Sequence, residues 1–383
     1  MNKPQSISSA SKAAVFPILF GFFVMGFVDV VGIAANHVKA DFGLSDTLSN
    51  LLPLMVFLWF ALFSIPTGIG MGKIGRRNTV LVALSLTVVA MLLPLIRYDF
   101  AWTLGAFALL GIGNTMLQVS LNPMVAQVVR PEKMTSVLTW GQFIKAVSSF
   151  LGPVIAGVAS SFWGDWKLIL VVYAATSGIA ALWLFGAVSG PEKKEEASAS
   201  LSSTLSLFRD RRVLLLFVGI LLIVGIDVGL NTTIPKLLMK KTGMPLNEAG
   251  LGTSLYFAAR TAGAFAGAIL LARFSAVIFL RYSMLFAIGC FLVLLASDTL
   301  WAMFGAILGV GLACANVFSI LFSLALQQKP ARANEISALM IMGVSGGAVI
   351  TPLMGIVSDG WGPVAGLSLL LICMIYILLI TCK

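Results

Sequence analysis

Gly111-Ile112-Gly113-Asn114-Thr115-Met116-Leu117-Gln118-Val119-Ser120-Leu121-Asn122-Pro123 opens a stretch that this chain contains twice. The first copy runs on through Arg130-Pro131 to a second apolar segment that ends Gly152-Pro153-Val154-Ile155-Ala156-Gly157. The second copy opens Gly309-Val310-Gly311, passes Lys329-Pro330 and ends Thr351-Pro352-Leu353-Met354-Gly355. The offset is 198 residues at the leading glycines and 199 at the closing prolines, about half of the 383-residue chain. A repeat of that size between apolar segments predicts two similar helical bundles, with a ligand held between them near mid-membrane. The plainer reading is that any two helical hairpins look alike. The matched Gly-x-Gly, basic-Pro and Pro-x-x-Gly landmarks weigh against it.

The composition fixes the class. The chain is 59% apolar and only 10% charged, too little charge to cover a water-facing surface. Apolar runs of about 18 residues or more recur along it, as in a multi-pass membrane protein. Twelve spans are expected, at roughly 14–36, 48–71, 78–96, 101–128, 135–160, 166–189, 213–239, 248–273, 276–297, 300–328, 335–358 and 362–382. The polar segment 190–212 separates residues 1–189 from 213–383 and reads as a cytoplasmic linker between two six-helix bundles. The first apolar run is too long for a cleaved leader and is read as a retained helix.

The net charge of +10 follows topology rather than nucleic acid. With both termini cytoplasmic, 17 of the 25 basic residues lie on that side and six on the other, as expected for a bacterial inner-membrane protein. The Lys236–Lys241 cluster runs against the bias. Cys290, Cys314, Cys373 and Cys382 have no metal-site or disulfide spacing, and His37 stands alone. No metal, organic cofactor or nucleotide loop is implied.

Four charges fall inside spans: Asp29, Lys145, Asp227 and Arg260. Each costs roughly 2.5–3.5 kcal/mol at membrane depth even on lenient scales, so pairing within each half is expected. Asp29 goes with Lys145 and Asp227 with Arg260; the two acids are again 198 residues apart. Such pairs either couple transport or merely fix helix positions.

Polar stripes mark the same helices. Asn114, Gln118 and Asn122 share one helical face, as do Gln142, Lys145, Ser149 and Gly152, then Asp227 and Asn231, then Asn316, Ser319 and Ser323. In lipid these groups must face protein or a wet cavity. Amides offer both donors and an acceptor, which suits a hydroxyl-rich ligand; they also serve as glue between helices. Tyr256, Trp59 and Trp140 are candidates for an apolar wall beside that ligand. Gly152-Pro153, Ser345-Gly346-Gly347 and Thr351-Pro352 permit close packing or a local kink.

The short loop Gly68-Ile69-Gly70-Met71-Gly72-Lys73-Ile74-Gly75-Arg76-Arg77 resembles the loop signature of the major facilitator superfamily. Gly72 stands where that signature has an aspartate, which removes its usual salt-bridge latch. Within the superfamily the chain is most similar to the fucose permease type of sugar–proton symporter. The matching stretches are Ile65-Pro66-Thr67-Gly68, Asn122-Pro123, Ala259-Arg260-Thr261-Ala262-Gly263 and the run from Gly346 to Asp359. The likeness covers most of the chain, with strong motifs in a small part.

That resemblance implies a proton-coupled importer of a small sugar. It also implies coupling acids on the first and fourth spans. Here Gln118 replaces the fourth-span acid, Gly32 takes the first-span position, and Asp29 sits three residues earlier. Gln142 is kept and Lys145 replaces an asparagine. The expectation is therefore an all-α transporter of a hexose or 6-deoxyhexose, working as a monomer. Asp29 and Lys145 couple the proton; Asn114, Gln118, Asn122, Gln142, Asn231, Tyr256 and Asn316 bind the sugar; Asp227 and Arg260 form a structural pair. An acidic sugar or another metabolite as substrate, an exporter with a more apolar pocket, and a membrane sensor remain alternatives. An enzyme is not expected, because no nucleophile–base constellation is present.

Overall fold

A computed structural model describes residues 9–44, 48, 51–187, 200–244, 246–361 and 363–381. Positions 190–199, the first part of the expected linker, and Cys382 lie outside them. The described residues are helical, with no strand among them.

In chain order, α1 (Ser9–Met25) passes through a 3-10 turn (Gly26–Asp29) into α2 (Val30–Phe42). Then come α3 (Leu51–Ile74), α4 (Arg76–Ile96), α5 (Phe100–Val128), α6 (Pro131–Trp163) and α7 (Leu168–Ala187). The short α8 (Leu201–Ser206) precedes α9 (Arg211–Thr242), α10 (Leu246–Leu270) and α11 (Ala276–Ala296). The chain ends with α12 (Leu300–Cys314), α13 (Val317–Gln328), α14 (Ala333–Met342), α15 (Gly346–Trp361) and α16 (Pro363–Ile380). Among the described residues, eight stretches are long and apolar enough to cross a membrane, and two shorter apolar helices accompany them.

The expected tenth and eleventh spans are each two helices. Asn316 separates α12 from α13, and a 3-10 turn at Gly343–Ser345 separates α14 from α15. Gly346 permits the second break: a Cβ there would lie 2.0 Å from the Leu221 carbonyl oxygen of α9. Only glycine lets the two backbones meet so closely.

The repeat recurs as a contact. A Cβ on Gly111 would lie 2.6 Å from the Val56 carbonyl oxygen, and one on Gly311 would lie 2.7 Å from that of Tyr256. Both members of the second pair stand 200 residues after those of the first. Each half therefore uses the same device, a glycine on one helix seating the backbone of another.

The chain divides into two compact units. One comprises Met1–Met134, Ile144–Leu205 and Pro330–Met342; the other comprises Thr135–Phe143, Ser206–Lys329 and Gly343–Lys383. The units thus differ from a simple cut at the linker, because each takes one segment from the other half of the sequence. In the first unit Pro330–Met342 is held by Ser337, which donates to the Val119 carbonyl at 2.6 Å. Gly68 makes room for Ala338, whose Cβ would be 2.5 Å from a Cβ at position 68. Arg76, with Gly72 where an acid was expected, donates to the neutral Asn334 Oδ1 at 2.7 Å and to the Pro123 carbonyl at 3.3 Å. In the second unit Thr135 and Ser323 hydroxyls bond at 2.6 Å and Ser136 donates to the Ala268 carbonyl at 2.5 Å.

Lys241, one of the cluster that runs against the charge bias, has local partners. Lys241 Nζ lies 2.6 Å from the Leu295 carbonyl, 2.8 Å from that of Ser297 and 3.2 Å from Asp298 Oδ1. Its charge caps the C-terminus of α11, which favours a cation there.

Candidate functional site

In the first unit the site is built on the 3-10 turn between α1 and α2. A Cβ on Gly26 would lie 2.5 Å from the Lys145 carbonyl oxygen and 2.7 Å from Ser148 Cβ, so α6 runs hard against this turn. Asn114 of α5 donates to the Met25 carbonyl at 2.9 Å, where the α-helical ladder gives way. A side-chain amide here satisfies backbone that the tighter turn re-routes, and short 3-10 pieces within helices often mark functional hinges.

The turn ends on Asp29. Its side chain is exposed although the residues around it, Phe27, Val28 and Val30, are buried. Ser149 of α6 donates to Asp29 Oδ2 at 2.5 Å. The same hydroxyl oxygen is 3.0 Å from the Lys145 carbonyl. Lys145 therefore sits one helical turn before the serine that holds the acid, and it is half-buried.

The fourth-span stripe is bonded to its surroundings. Gln118 Nε2 donates to Asn114 Oδ1 at 2.8 Å, and Asn122 Nδ2 donates to the Gln118 carbonyl at 2.7 Å. Asn114, Gln118 and Asn122 are 2%, 3% and 1% exposed. Their burial places them among packed helices rather than on an open, ligand-facing surface in this structure. Gln142 is half-buried.

In the second unit Arg260 Nη1 lies 2.6 Å from Asp227 Oδ2, and the Tyr256 hydroxyl donates to Asp227 Oδ1 at 2.6 Å. Both carboxylate oxygens are thus engaged. Tyr256, expected as part of a ligand wall, is instead wholly buried with its polar tip committed to Asp227. A phenol needs such a partner when its ring is packed away from water. Asn231, one turn beyond Asp227 on α9, is exposed. Asn316 is 2% exposed and donates to the Gly263 carbonyl at 2.9 Å. It fills the space over Gly267, where a Cβ would fall 2.2 Å from Asn316 Oδ1.

The structure thus brings Asp29 to the stretch of α6 that carries Lys145, and Asp227 to Arg260. It does not gather the seven expected sugar ligands on open surfaces. The sequence showed Ser149 only as one of a stripe, and Tyr173, which packs against the same turn, carried no signal at all. Tyr173 is 2% exposed, and its ring stacks on Phe27 with centroids 3.7 Å apart. Among the described residues no group of three or more His, Cys, Asp or Glu side chains could hold a metal ion.

Comparison with known proteins places this geometry in a family. The chain is 25% identical over 376 residues to a glucose/galactose transporter of Brucella abortus, covering 93% of this chain and 90% of that one. It is 23% identical to a putative glucose/galactose transporter of Helicobacter pylori, over 88% and 87% of the two chains. Among solved structures, the fucose:proton symporter FucP of E. coli superposes with a TM-score of 0.82 at 17% identity, over 96% and 97% of the chains. A bacterial homologue of the iron transporter ferroportin gives 0.80 at 15% identity, over 98% and 100%. At such identities these structures speak for the fold alone. The family model described as Major Facilitator Superfamily matches residues 18–352, and the chain belongs to that superfamily of membrane transporters, not to an enzyme family.

Proposed function

We propose that the protein is a secondary transporter that brings a small neutral sugar into the cell with a proton, by alternating access. The observation that carries this reading is Asp29: an exposed carboxylate at a break within an apolar span, held by a serine hydroxyl. A charged group at that depth is costly, and such groups mark ion and substrate pathways. The sugar reading draws on the names of the two curated relatives and on the amides of Gln142 and Asn231, which keep some exposure. The buried ladder Asn114–Gln118–Asn122, together with Asn316 and Tyr256, then serves to shape and hold the helices around the ligand. Asp29 carries the proton with Lys145 as its charge partner, while Asp227 and Arg260 form a fixed structural pair. Twelve spans in two six-helix bundles, 1–189 and 213–383, with both termini in the cytoplasm of a bacterium, complete the proposal.

The test is counterflow of labelled sugars in proteoliposomes, with and without an imposed pH gradient. Hexoses and 6-deoxyhexoses should compete more strongly than uronates, and an inward proton gradient should drive accumulation. Competition by uronates alone would make Lys145 a carboxylate receptor instead of a charge partner. No competition by any sugar would refute the substrate class.

A further inference from the structure

Each unit sets one membrane acid near one tyrosine hydroxyl, and the two arrangements differ. In the second unit Tyr256 donates to Asp227 at 2.6 Å while Arg260 takes the other oxygen at 2.6 Å. Both oxygens of that carboxylate are engaged. In the first unit the Tyr173 hydroxyl is buried with no hydrogen-bond partner, although Asp29 lies within electrostatic reach of it. The hydroxyl occupies a slot left by Gly152: a Cβ there would be 2.8 Å from it. A buried phenol without a partner forfeits roughly 1–3 kcal/mol, which a donor–acceptor contact made in another arrangement of the same residues would recover.

Asp29 is the acceptor at hand. It stands at the end of the 3-10 turn whose Phe27 stacks on the Tyr173 ring, so ring and acid are tied to the same short element. Among the described residues α6 brings Lys145 to this turn, α7 brings Tyr173 and α5 brings the neutral amide of Asn114. Ser149 already donates to Oδ2, which leaves room on the carboxylate for a second donor.

We propose that Tyr173 is a switchable positioning residue for Asp29: its hydroxyl, unpartnered here, donates to the ionised Asp29 carboxylate in another state of the cycle. The proton balance is simple. Asp29 binds one proton from one side and becomes a neutral acid, and the tyrosine keeps its own proton throughout. When Asp29 releases its proton, the Tyr173 donor stabilises the resulting charge and favours release. The proposal rests on Asp29 as the proton carrier and adds what sets the pH at which it loads.

Tyr173→Phe keeps the ring on Phe27 and removes only the hydroxyl. Infrared difference spectra of purified protein, with the Asp29 band assigned by subtraction of Asp29→Asn, give the pH midpoint of the carboxyl signal. Loss of a donor to the ionised form should move that midpoint to higher pH. A midpoint that stays in place overturns the proposal. Should Tyr173→Phe not fold, ring-labelled tyrosine in the otherwise unaltered protein makes the same test. One tyrosine C–OH band should shift as Asp29 deprotonates and stay still in Asp29→Asn; a band indifferent to pH overturns the idea. These spectra need no transport. A protein that shows the shift but no proton-driven uptake would refute proton coupling and leave the Tyr173–Asp29 bond standing.

Discussion

Arg260→Ala tests how the membrane charges are held. Asp227 receives the guanidinium at 2.6 Å on one oxygen and the Tyr256 hydroxyl at 2.6 Å on the other. At an effective dielectric constant near 20, charges about 4 Å apart attract by about 4 kcal/mol. Breaking a buried pair by removing one partner costs about 3–5 kcal/mol, because the other charge is stranded. The Arg260 and Asp227 side chains retain 23% and 15% exposure, and Tyr256 still donates, so the low end applies. A loss of about 3 kcal/mol, a folding equilibrium constant lowered by roughly a hundredfold, is expected for Arg260→Ala.

Tyr256→Phe should cost about 1.5–3 kcal/mol, the worth of one hydrogen bond to a charged group. Neutralising both charges together removes the stranded acid and should recover most of the loss. Acidification should also shrink the Arg260→Ala deficit, since a proton can neutralise the abandoned carboxylate. The assay is reversible unfolding in mixed micelles, followed by tryptophan fluorescence across the double-mutant cycle. A coupling between the two positions below about 0.5 kcal/mol would show that they stabilise the helices independently, and the pairing argument would fail.

Asp29→Asn copies the protonated acid and should preserve sugar counterflow while abolishing accumulation under a pH gradient; continued accumulation would move the proton elsewhere. Gly346→Ala should be recovered in much lower yield than its neighbour variants, because its Cβ would sit 2.0 Å from the Leu221 carbonyl oxygen and backbone cannot step aside. Normal folding of that variant would mean the break before α15 is looser than its geometry. Asp210→Ala should cost about 1 kcal/mol, measured by thermal unfolding, since Asp210 accepts from the Arg212 and Val213 amides at the start of α9. Lys329, 3.0 Å away, is the main influence that holds the Asp210 carboxyl below its usual range. The stabilisation is therefore present above the ordinary carboxylate range and is lost as pH falls through the lowered value, and a cost that does not fall in acid would contradict the cap.

The fold was legible because its signals are those of a whole segment. Long apolar runs and a low charge content each average over many residues, and neither depends on where one side chain points. The break at Gly343–Ser345 adjoins Ser345-Gly346-Gly347, a place expected to permit a kink, whereas the break at Asn316 falls on a lone amide whose spacing does not mark a helix end. They arise from tertiary contacts, Gly346 against the Leu221 backbone and Asn316 over Gly267, that no local propensity encodes. Lys241 shows the same limit from the other side. Counted as a topological exception, it is a cap bound to carbonyls of a helix more than fifty residues away.

Charges and amides inside apolar spans constrain a reading to different degrees, for one physical reason. An ion inside an apolar span has few tolerable fates, so Asp227 pointed to Arg260 and Asp29 to the face of α6 that holds Lys145 and Ser149. An amide has two fates of similar free energy, lining a wet cavity or bonding to neighbouring helices, and spacing along the helix is the same for both. Asn114, Gln118 and Asn122 share a face as expected, yet that face meets the Met25 carbonyl and its own helix. Asn231, one turn from Asp227 on α9, is exposed. What separates the two outcomes is whether a neighbouring backbone offers an unsatisfied carbonyl. The 3-10 turn at Gly26–Asp29 creates such a need beside Asn114, and it also projects Asp29 outward. The buried amide and the exposed acid are thus two consequences of one turn.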